Sequence, residues 1–215
     1  MPTDDLNNDP KRIVREGDDA VSSAYVDYEG SATTEEQRRW LAPLMAGLSQ
    51  GATVLDLGCG AGVPATKILA ETFRVIGVDI SPVQIERARH LVPNAKFIVG
   101  DMTAADFEPE SFDAVVSLYA VIHVPLAEQP PLFARVHGWL RPGGYFLVTV
   151  GSGAYTGTED DWLIPGVRMY WSHADEETYS RWLEDLGFTL QERTFVPEGD
   201  GGHILLLATK AAAPN

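Results

Sequence analysis

Between residues 53 and 150, short apolar runs alternate with segments of helical periodicity. The apolar centres of these runs are continuous rather than alternating, which is typical of strands that are covered on both faces. Strands that alternate with helices in this way predict a parallel sheet with helices on both sides. The five predicted strands are Thr53–Leu57, Arg74–Val78, Lys96–Val99, Phe112–Leu118 and Tyr145–Val150.

The pattern changes after Val150. Residues 151–172 are rich in Gly, Tyr and Trp and show no clean period, whereas Asp175–Leu186 has helical spacing. Two further apolar runs, Phe188–Val196 and His203–Thr209, predict closing strands. The expected fold is therefore α/β and Rossmann-like, with a seven-stranded, mostly parallel sheet and helices on both faces.

The N-terminal third of the chain has its own signals. Pro10 predicts the first turn of a short helix that reaches about Ala20. Thr33, followed by Glu36, is typical of a capping box that opens a second helix. We divide the chain into an N-terminal arm or lid over residues 1–35 and a domain over residues 36–215, within which residues 151–173 form a lid insertion on the substrate side.

Composition excludes several classes of protein. The chain has 215 residues, and 31 acidic against 16 basic side chains give a net charge of −15, which argues against a nucleic-acid binder. Its one cysteine, Cys59, cannot form an internal disulfide, and no Cys/His cluster indicates a metal site. We see no signal peptide and no apolar run of membrane-spanning length, so we expect a cytoplasmic protein that does not bind membranes.

A glycine-rich turn follows the first strand directly, in the run Asp56-Leu57-Gly58-Cys59-Gly60-Ala61-Gly62. Glycines allow a backbone to approach a ligand closely, and the following helix start offers free N–H groups. The spacing G-x-G-x-G differs from the dinucleotide fingerprint G-x-G-x-x-G. A carboxylate at Asp56 would repel a pyrophosphate, but it suits a ligand that carries ammonium and sulfonium charges.

Two more acidic residues follow the next two strands. Asp79, with Ile80 after it, ends the second strand, where a carboxylate can accept both hydroxyls of a ribose. Asp101 and Met102 follow the third strand, where a carboxylate and the next backbone N–H can bind an adenine ring. Taken singly, each aspartate could equally be a helix cap.

These segments, together with Leu140-Arg141-Pro142-Gly143-Gly144, resemble the successive motifs of class I S-adenosylmethionine-dependent methyltransferases. The resemblance implies S-adenosyl-L-methionine as cofactor and S-adenosyl-L-homocysteine as product. It further implies that the loop holds the methionine part of the cofactor beside Asp56, while Ser117 and Leu118 line the methionine end. Tyr25 is a further candidate, closing over the cofactor from the N-terminal side.

The acceptor side of the predicted site has weaker signals. His123 follows the fourth strand and is the candidate general base, since imidazole titrates near neutrality; its alternative is a structural histidine bonded to a backbone carbonyl. Tyr119 lines the same pocket or packs. Met169, Trp171 and His173 lie in an aromatic segment that predicts either a lid over the substrate or a cover for the sheet edge.

The sequence favours methyl transfer to O, N or C of a small, aromatic metabolite by in-line displacement. The alternatives are a catalytically silent cofactor-binding module, which serves as a sensor or scaffold, and a nicotinamide-dependent oxidoreductase, which the glycine spacing disfavours. The identity of the acceptor and the oligomeric state are not specified by the sequence.

Overall fold

The structure is a computed structural model that describes residues 8–26 and 33–212, except for the side chains of residues 25 and 26. Within these residues the chain forms six α-helices and nine strands. The helices are α1 (Pro10–Val26), α2 (Thr34–Gly47), α3 (Ala65–Ala70), α4 (Pro82–Leu91), α5 (Gln129–Trp139) and α6 (Glu176–Asp185). The strands are β1 (Thr53–Leu57), β2 (Arg74–Asp79), β3 (Lys96–Val99), β4 (Phe112–Ser117), β5 (Leu140–Gly151), β6 (Tyr155–Asp160), β7 (Arg168–His173), β8 (Phe188–Glu198) and β9 (Gly201–Lys210).

Seven strands form one sheet in the order β3-β2-β1-β4-β5-β9-β8. Strands β1 to β5 are parallel, and β9 pairs antiparallel with both β5 and β8. The predicted Rossmann-like sheet is thus confirmed. Strand order reverses beside β1, which lies between β2 and β4, and open α/β sheets bind ligands at such a point, outside the carboxyl ends of the strands.

Local capping explains where two of the helices begin. The Thr33 hydroxyl accepts the N–H of Glu36 at 3.2 Å, and the Glu36 carboxylate accepts the N–H of Thr33 at 2.9 Å. This reciprocal pair is the predicted capping box. The hydroxyl of Ser81 likewise accepts the N–H of Gln84 at 3.0 Å at the start of α4. In each helix, the cap thus satisfies a backbone N–H that has no partner within the helix.

The sheet separates two apolar layers, which accounts for the continuous apolar strands. One layer is built on aromatic side chains that include Phe133, Phe146 and Tyr179. The other packs α2, α3 and α4 against the opposite face through aliphatic residues such as Leu41 and Ile85. None of the helices in the described part of the chain is both long and apolar enough to cross a bilayer.

Two regions differ from the sequence-based expectation. Residues 155–160 and 168–173, for which no regular structure was predicted, form the separate antiparallel hairpin β6–β7. Helix α1 continues to Val26 instead of ending near Ala20, and it packs on β7. The approach is close at Gly17, where an added Cβ would lie 2.7 Å from the carbonyl oxygen of Arg168, so only a glycine fits there without displacement.

Candidate functional site

A cleft lies at the carboxyl ends of β1 to β4, and α1 passes over it. Its empty volume, which includes the mouth open to solvent, is about 1170 Å³. Ten of the residues predicted for the site line this cleft. They are Asp56, Gly58, Gly60, Asp79, Ile80, Asp101, Met102, Leu118, Tyr119 and His123.

The glycine loop is fixed to β2 and keeps its open side toward the cleft. The N–H of Gly58 donates to the carbonyl of Val78 at 2.7 Å, and Gly58 has a φ of +73°. A side chain at Gly58 would collide with the Ala120 methyl group, whereas a Cβ at Gly60 (φ +52°) would meet nothing within 4 Å. Gly58 is therefore required for packing, and Gly60 leaves free space above the loop.

Asp79 connects the glycine loop to the start of α4. One of its carboxylate oxygens accepts the N–H of Gly60 and the other accepts the N–H of Ser81, each at 2.8 Å. Burial raises the pKa of Asp79 to about 6; the two backbone bonds oppose that rise, and the nearby charge of Asp19 adds to it. The two backbone bonds hold the carboxylate in place, but burying its charge costs free energy. A ligand that donates hydrogen bonds to Asp79 would reduce that cost.

Asp56 lies deeper in the cleft, beneath the loop. It is 2% exposed, and its carboxylate accepts the hydroxyl of Thr66 at 2.5 Å. Burial raises the pKa of Asp56 to about 6 despite that bond, and the charge of Asp79 contributes to the rise. Two aspartates in one cleft with raised pKa values make it suited to a ligand that carries positive charge.

Asp101 is bound by a residue that the sequence reading did not single out. It accepts the backbone N–H and the hydroxyl of Thr103, each at 2.8 Å, and the ammonium of Lys11 at 2.7 Å. Burial alone would raise the pKa of Asp101, but the bonds from Lys11 and Thr103 outweigh it and hold the pKa below its usual value. This carboxylate is therefore ionised at neutral pH.

His123 has a defined tautomer. Its Nδ1 lies 2.7 Å from the carbonyl oxygen of Tyr170, and because a carbonyl only accepts, Nδ1 carries the proton and Nε2 keeps a lone pair. Burial lowers the pKa of His123 to about 4, and the nearby His203 and His173 contribute. The ring packs 4.3 Å from that of Trp171, centroid to centroid. At neutral pH, His123 is an uncharged acceptor at the cleft wall.

Tyr119 adopts a left-handed backbone conformation, with a φ of +56°, which is uncommon for a bulky residue. Its ring lies 6.1 Å from that of Trp40 and 5.4 Å from that of His203. Its hydroxyl bonds to the carboxylate of Glu198. With Trp162, which also lines the cleft, Tyr119 and His123 give this end of the site an aromatic wall.

Three predicted site residues lie behind the lining of the cleft. Gly62 faces α4, where a Cβ would lie 3.2 Å from Val92. Ser117 is fully buried and its hydroxyl donates to the carbonyl of Leu57 at 2.8 Å. Met169 is also fully buried, beneath α1. The geometry gives these three residues packing contacts instead of a position facing the cleft.

Trp171 and His173 line a second, more open depression together with Tyr155 and His203. Nδ1 of His173 lies 2.5 Å from the carbonyl of Gly153 and donates to it. Trp171 reaches the cleft through its ring contacts with two lining residues, His123 and Trp162. The side chain of Tyr25, the remaining candidate, lies outside the described residues.

Helix α1 supplies lining residues that sequence reasoning missed, namely Lys11, Val14 and Asp18. Their spacing of three and four residues places them on one helix face, which is a signal that the sequence does contain. Burial raises the pKa of Asp18 well above its ordinary value, and the charges of Asp79 and Asp19 add to that effect. In the part of the chain that the structure describes, His, Cys, Asp and Glu side chains form no group suited to a metal ion.

This fold and cleft define a class: Rossmann-like α/β proteins that bind a nucleoside-containing ligand at the switch point of the sheet. Comparison with known proteins specifies the family. Residues 54–144 match the family model of a methyltransferase domain. This match, together with the sterol methyltransferase relatives, supports a class I S-adenosylmethionine-dependent methyltransferase domain in this part of the chain.

Individual relatives are named for different substrates. The chain is 37% identical over 131 residues to the sterol 24-C-methyltransferase of Candida albicans, which covers 56% of this chain and 34% of that protein. It is 32% identical over 150 residues to phosphoethanolamine N-methyltransferase 3 of Arabidopsis thaliana, covering 67% of this chain and 30% of the relative. The chain thus spans about a third of the length of these relatives.

A solved structure of similar fold is that of magnesium protoporphyrin IX methyltransferase from Synechocystis PCC 6803 with bound S-adenosylhomocysteine. It has a TM-score of 0.70 and 18% sequence identity, and the match covers 94% of this chain and 100% of that one. At this identity the likeness establishes the fold alone.

Proposed function

We propose that this protein transfers a methyl group from S-adenosylmethionine to an O, N or C atom of a small acceptor. The observation that carries the proposal is convergence: the glycine loop, Asp79, Asp101 and His123 follow four different strands, and all line one cleft. Unrelated helix caps and turn glycines would not be expected to share one cavity.

The residues of the cleft fit this cofactor. The space above Gly60 is open, so a ligand can lie directly on the loop backbone. Asp56, Asp79 and Asp101 all face the cleft, so it offers carboxylates to a ligand with ammonium, sulfonium, hydroxyl and amino groups. A pyrophosphate would instead meet like charge. When bound, S-adenosylmethionine supplies a methyl group that its sulfonium has already activated.

Each carboxylate has a proposed task. Asp79, fixed by the N–H groups of Gly60 and Ser81, accepts the ribose hydroxyls. Asp101, with Met102 beside it, binds the adenine edge, and Asp56 attracts the positively charged methionine end. The chain contributes chiefly alignment, which lowers barriers by about 7–11 kcal/mol in well-oriented systems.

The acceptor is proposed to bind against the aromatic wall formed by Tyr119, His123 and Trp162. Among the described residues that line the cleft, Lys11 is the one Lys or Arg, and its three N–H groups are already bonded to protein acceptors. A phosphate-bearing acceptor, such as the phosphoethanolamine for which the Arabidopsis relative is named, would find no free cationic partner among these described lining residues. A neutral or cationic aromatic acceptor fits better.

His123 is proposed to accept a hydrogen bond or a proton from the acceptor through Nε2. Its lowered pKa keeps it in the accepting form at neutral pH, but it also makes His123 a weak base. We therefore assign it mainly to orienting an O–H or N–H nucleophile. A carbon nucleophile without an acidic proton would not need it. Residues 1–35 and 151–173 are proposed as the two segments that close the site.

The experiment is to incubate the full chain with S-adenosylmethionine and a panel of small phenols, aromatic amines and phosphate-bearing amines. Mass spectrometry then detects a gain of one methyl group. We expect methylation within the aromatic members of the panel. Methylation of phosphate-bearing members alone would contradict the proposed acceptor class, and cofactor binding without turnover on a broad panel would favour the silent cofactor-binding module.

A further inference from the structure

The ammonium of Lys11 has three acceptors from two distant segments of the chain. It donates to Asp101 and to Thr103 at 2.7 Å and to Glu128 at 2.5 Å. A lysine ammonium has three N–H donors, so this set saturates it. Lys11 therefore has no donor left for a ligand, although its side chain lines the cleft.

Asp101, by contrast, keeps accepting capacity. An ionised carboxylate offers about four lone-pair sites. The N–H and hydroxyl of Thr103 take two of them, both on Oδ1, and Lys11 takes one on Oδ2. One site on Oδ2 remains, and Asp101 faces the cleft. Lys11 thus fixes the oxygen that stays available to a ligand without competing for its last lone pair.

The rest of α1 is attached at its opposite end. Asp19 accepts the hydroxyl of Ser81 at 2.5 Å, and the hydroxyl of Ser22 donates to Gln84 at 2.9 Å. In the middle, Gly17 lets the helix lie directly on β7. Between Lys11 and Asp19, the side chains of Val14 and Asp18 line the cleft. At the Asp101 end, where the helix begins, Lys11 supplies the polar attachment of α1, and its three hydrogen bonds are the tie.

We infer that Lys11 is a positioning residue of the cofactor site: it ties α1 across the adenine end of the cleft and fixes Asp101 for the adenine amino group. This inference rests on the proposed function. Removing the tie leaves Asp101 in the cleft but no longer fixes its carboxylate, and it frees the first turns of α1. By linkage, a bound ligand should in turn protect α1, because helix docking and ligand retention are coupled.

The test uses the full chain and four proteins: wild type, Lys11→Met, Glu128→Gln and Arg12→Met. Methionine keeps the length and apolar stem of lysine while removing its charge and donors. Glu128→Gln weakens the tie without altering Asp101. Arg12→Met is the matched control, since Arg12 lies on the same helix turn and, among the described residues, forms its ion pair with the exposed Glu16. Stopped-flow fluorescence gives the S-adenosylhomocysteine dissociation rate, and hydrogen exchange of ligand-free protein reports on residues 10–26.

We expect Lys11→Met to release S-adenosylhomocysteine about tenfold faster, in line with the loss of a charged hydrogen bond that is partly exposed. Exchange in the first turns of α1 should be faster even without ligand. Glu128→Gln should show both effects to a smaller degree, and Arg12→Met neither. Wild-type dissociation from Lys11→Met, or unchanged exchange in α1, would overturn the inference. Failure of wild type to bind at all would instead count against the proposed function, while the ligand-free exchange still tests the tie.

Discussion

Replacing Gly60 by alanine should separate ligand binding from folding. Gly60 has a φ of +52°, and a Cβ there meets no atom within 4 Å. The new methyl group would therefore disturb nothing in the protein, but it would occupy the space directly above the loop, where the proposed cofactor lies. The backbone N–H of residue 60 would still donate to Asp79.

The magnitude follows from the backbone. A non-glycine residue in the left-handed region costs about 1–2 kcal/mol. For a chain of this size, that lowers the melting temperature by roughly 2–8 °C. Gly143 provides the control, since it has a φ of +79°, equally open surroundings and a position outside the cleft lining. Gly143→Ala should cost the same stability and leave ligand affinity unchanged.

The assay pairs thermal unfolding with calorimetric titration of S-adenosylhomocysteine. Gly60→Ala should bind at least about tenfold more weakly, a loss of about 1.4 kcal/mol, beyond any change in Gly143→Ala. Gly58→Ala should behave differently, since overlap with Ala120 adds about 1–3 kcal/mol of destabilisation. Equal ligand affinity in Gly60→Ala and Gly143→Ala would refute the placement of the cofactor on the loop.

Three further predictions concern the titratable residues. Asp79→Ala should weaken S-adenosylhomocysteine binding by about 1–3 kcal/mol in calorimetry; unchanged affinity would mean that Asp79 only braces the loop and α4. Because burial raises the pKa values of Asp56 and Asp79 to about 6, both carboxylates become protonated as the pH falls below that value, so the affinity should decline between pH 7.5 and pH 5; a flat profile would contradict their role. His123→Ala should slow turnover with little change in the affinity for S-adenosylhomocysteine. Because burial lowers the pKa of His123 to about 4, the wild-type rate should show no histidine inflection between pH 5.5 and 7. An inflection there that His123→Ala abolishes would contradict this, because it would place the working pKa of His123 near neutrality.

The parts of the fold that sequence predicts well are those with local causes. Strand β1 matches its predicted bounds, and the buried apolar run explains why. The start of α2 follows from the Thr33 capping box, and that of α4 from Ser81 and Pro82. In each case the signal and the structure it specifies lie within a few residues of each other.

Hairpin β6–β7 shows where that reasoning fails. Strand β6 is exposed along nearly its whole length, so its sequence carries no alternation of apolar and polar residues. Its stability comes from pairing with β7, and β7 in turn packs on α1. A segment whose support comes from elements distant in the chain gives no periodic signal of its own.

Lys11 is the clearest case of the same limit within the site. The spacing of Lys11, Val14 and Asp18 puts them on one helix face, but it does not say which surface that face meets. The three partners of Lys11 lie 90, 92 and 117 residues further along the chain. Asp79 and Asp101 were found because they come after predicted strands, and Asp56 because it precedes the glycine loop, whereas this lysine reaches the site through the packing of α1.

The most direct test of the central claim is calorimetric titration of the full chain with S-adenosylhomocysteine and, separately, with NAD. Both ligands contain an adenosine, but only NAD brings a pyrophosphate to the loop beside Asp56. The proposed function predicts micromolar binding of S-adenosylhomocysteine and no detectable binding of NAD. Binding of NAD without binding of S-adenosylhomocysteine would contradict it.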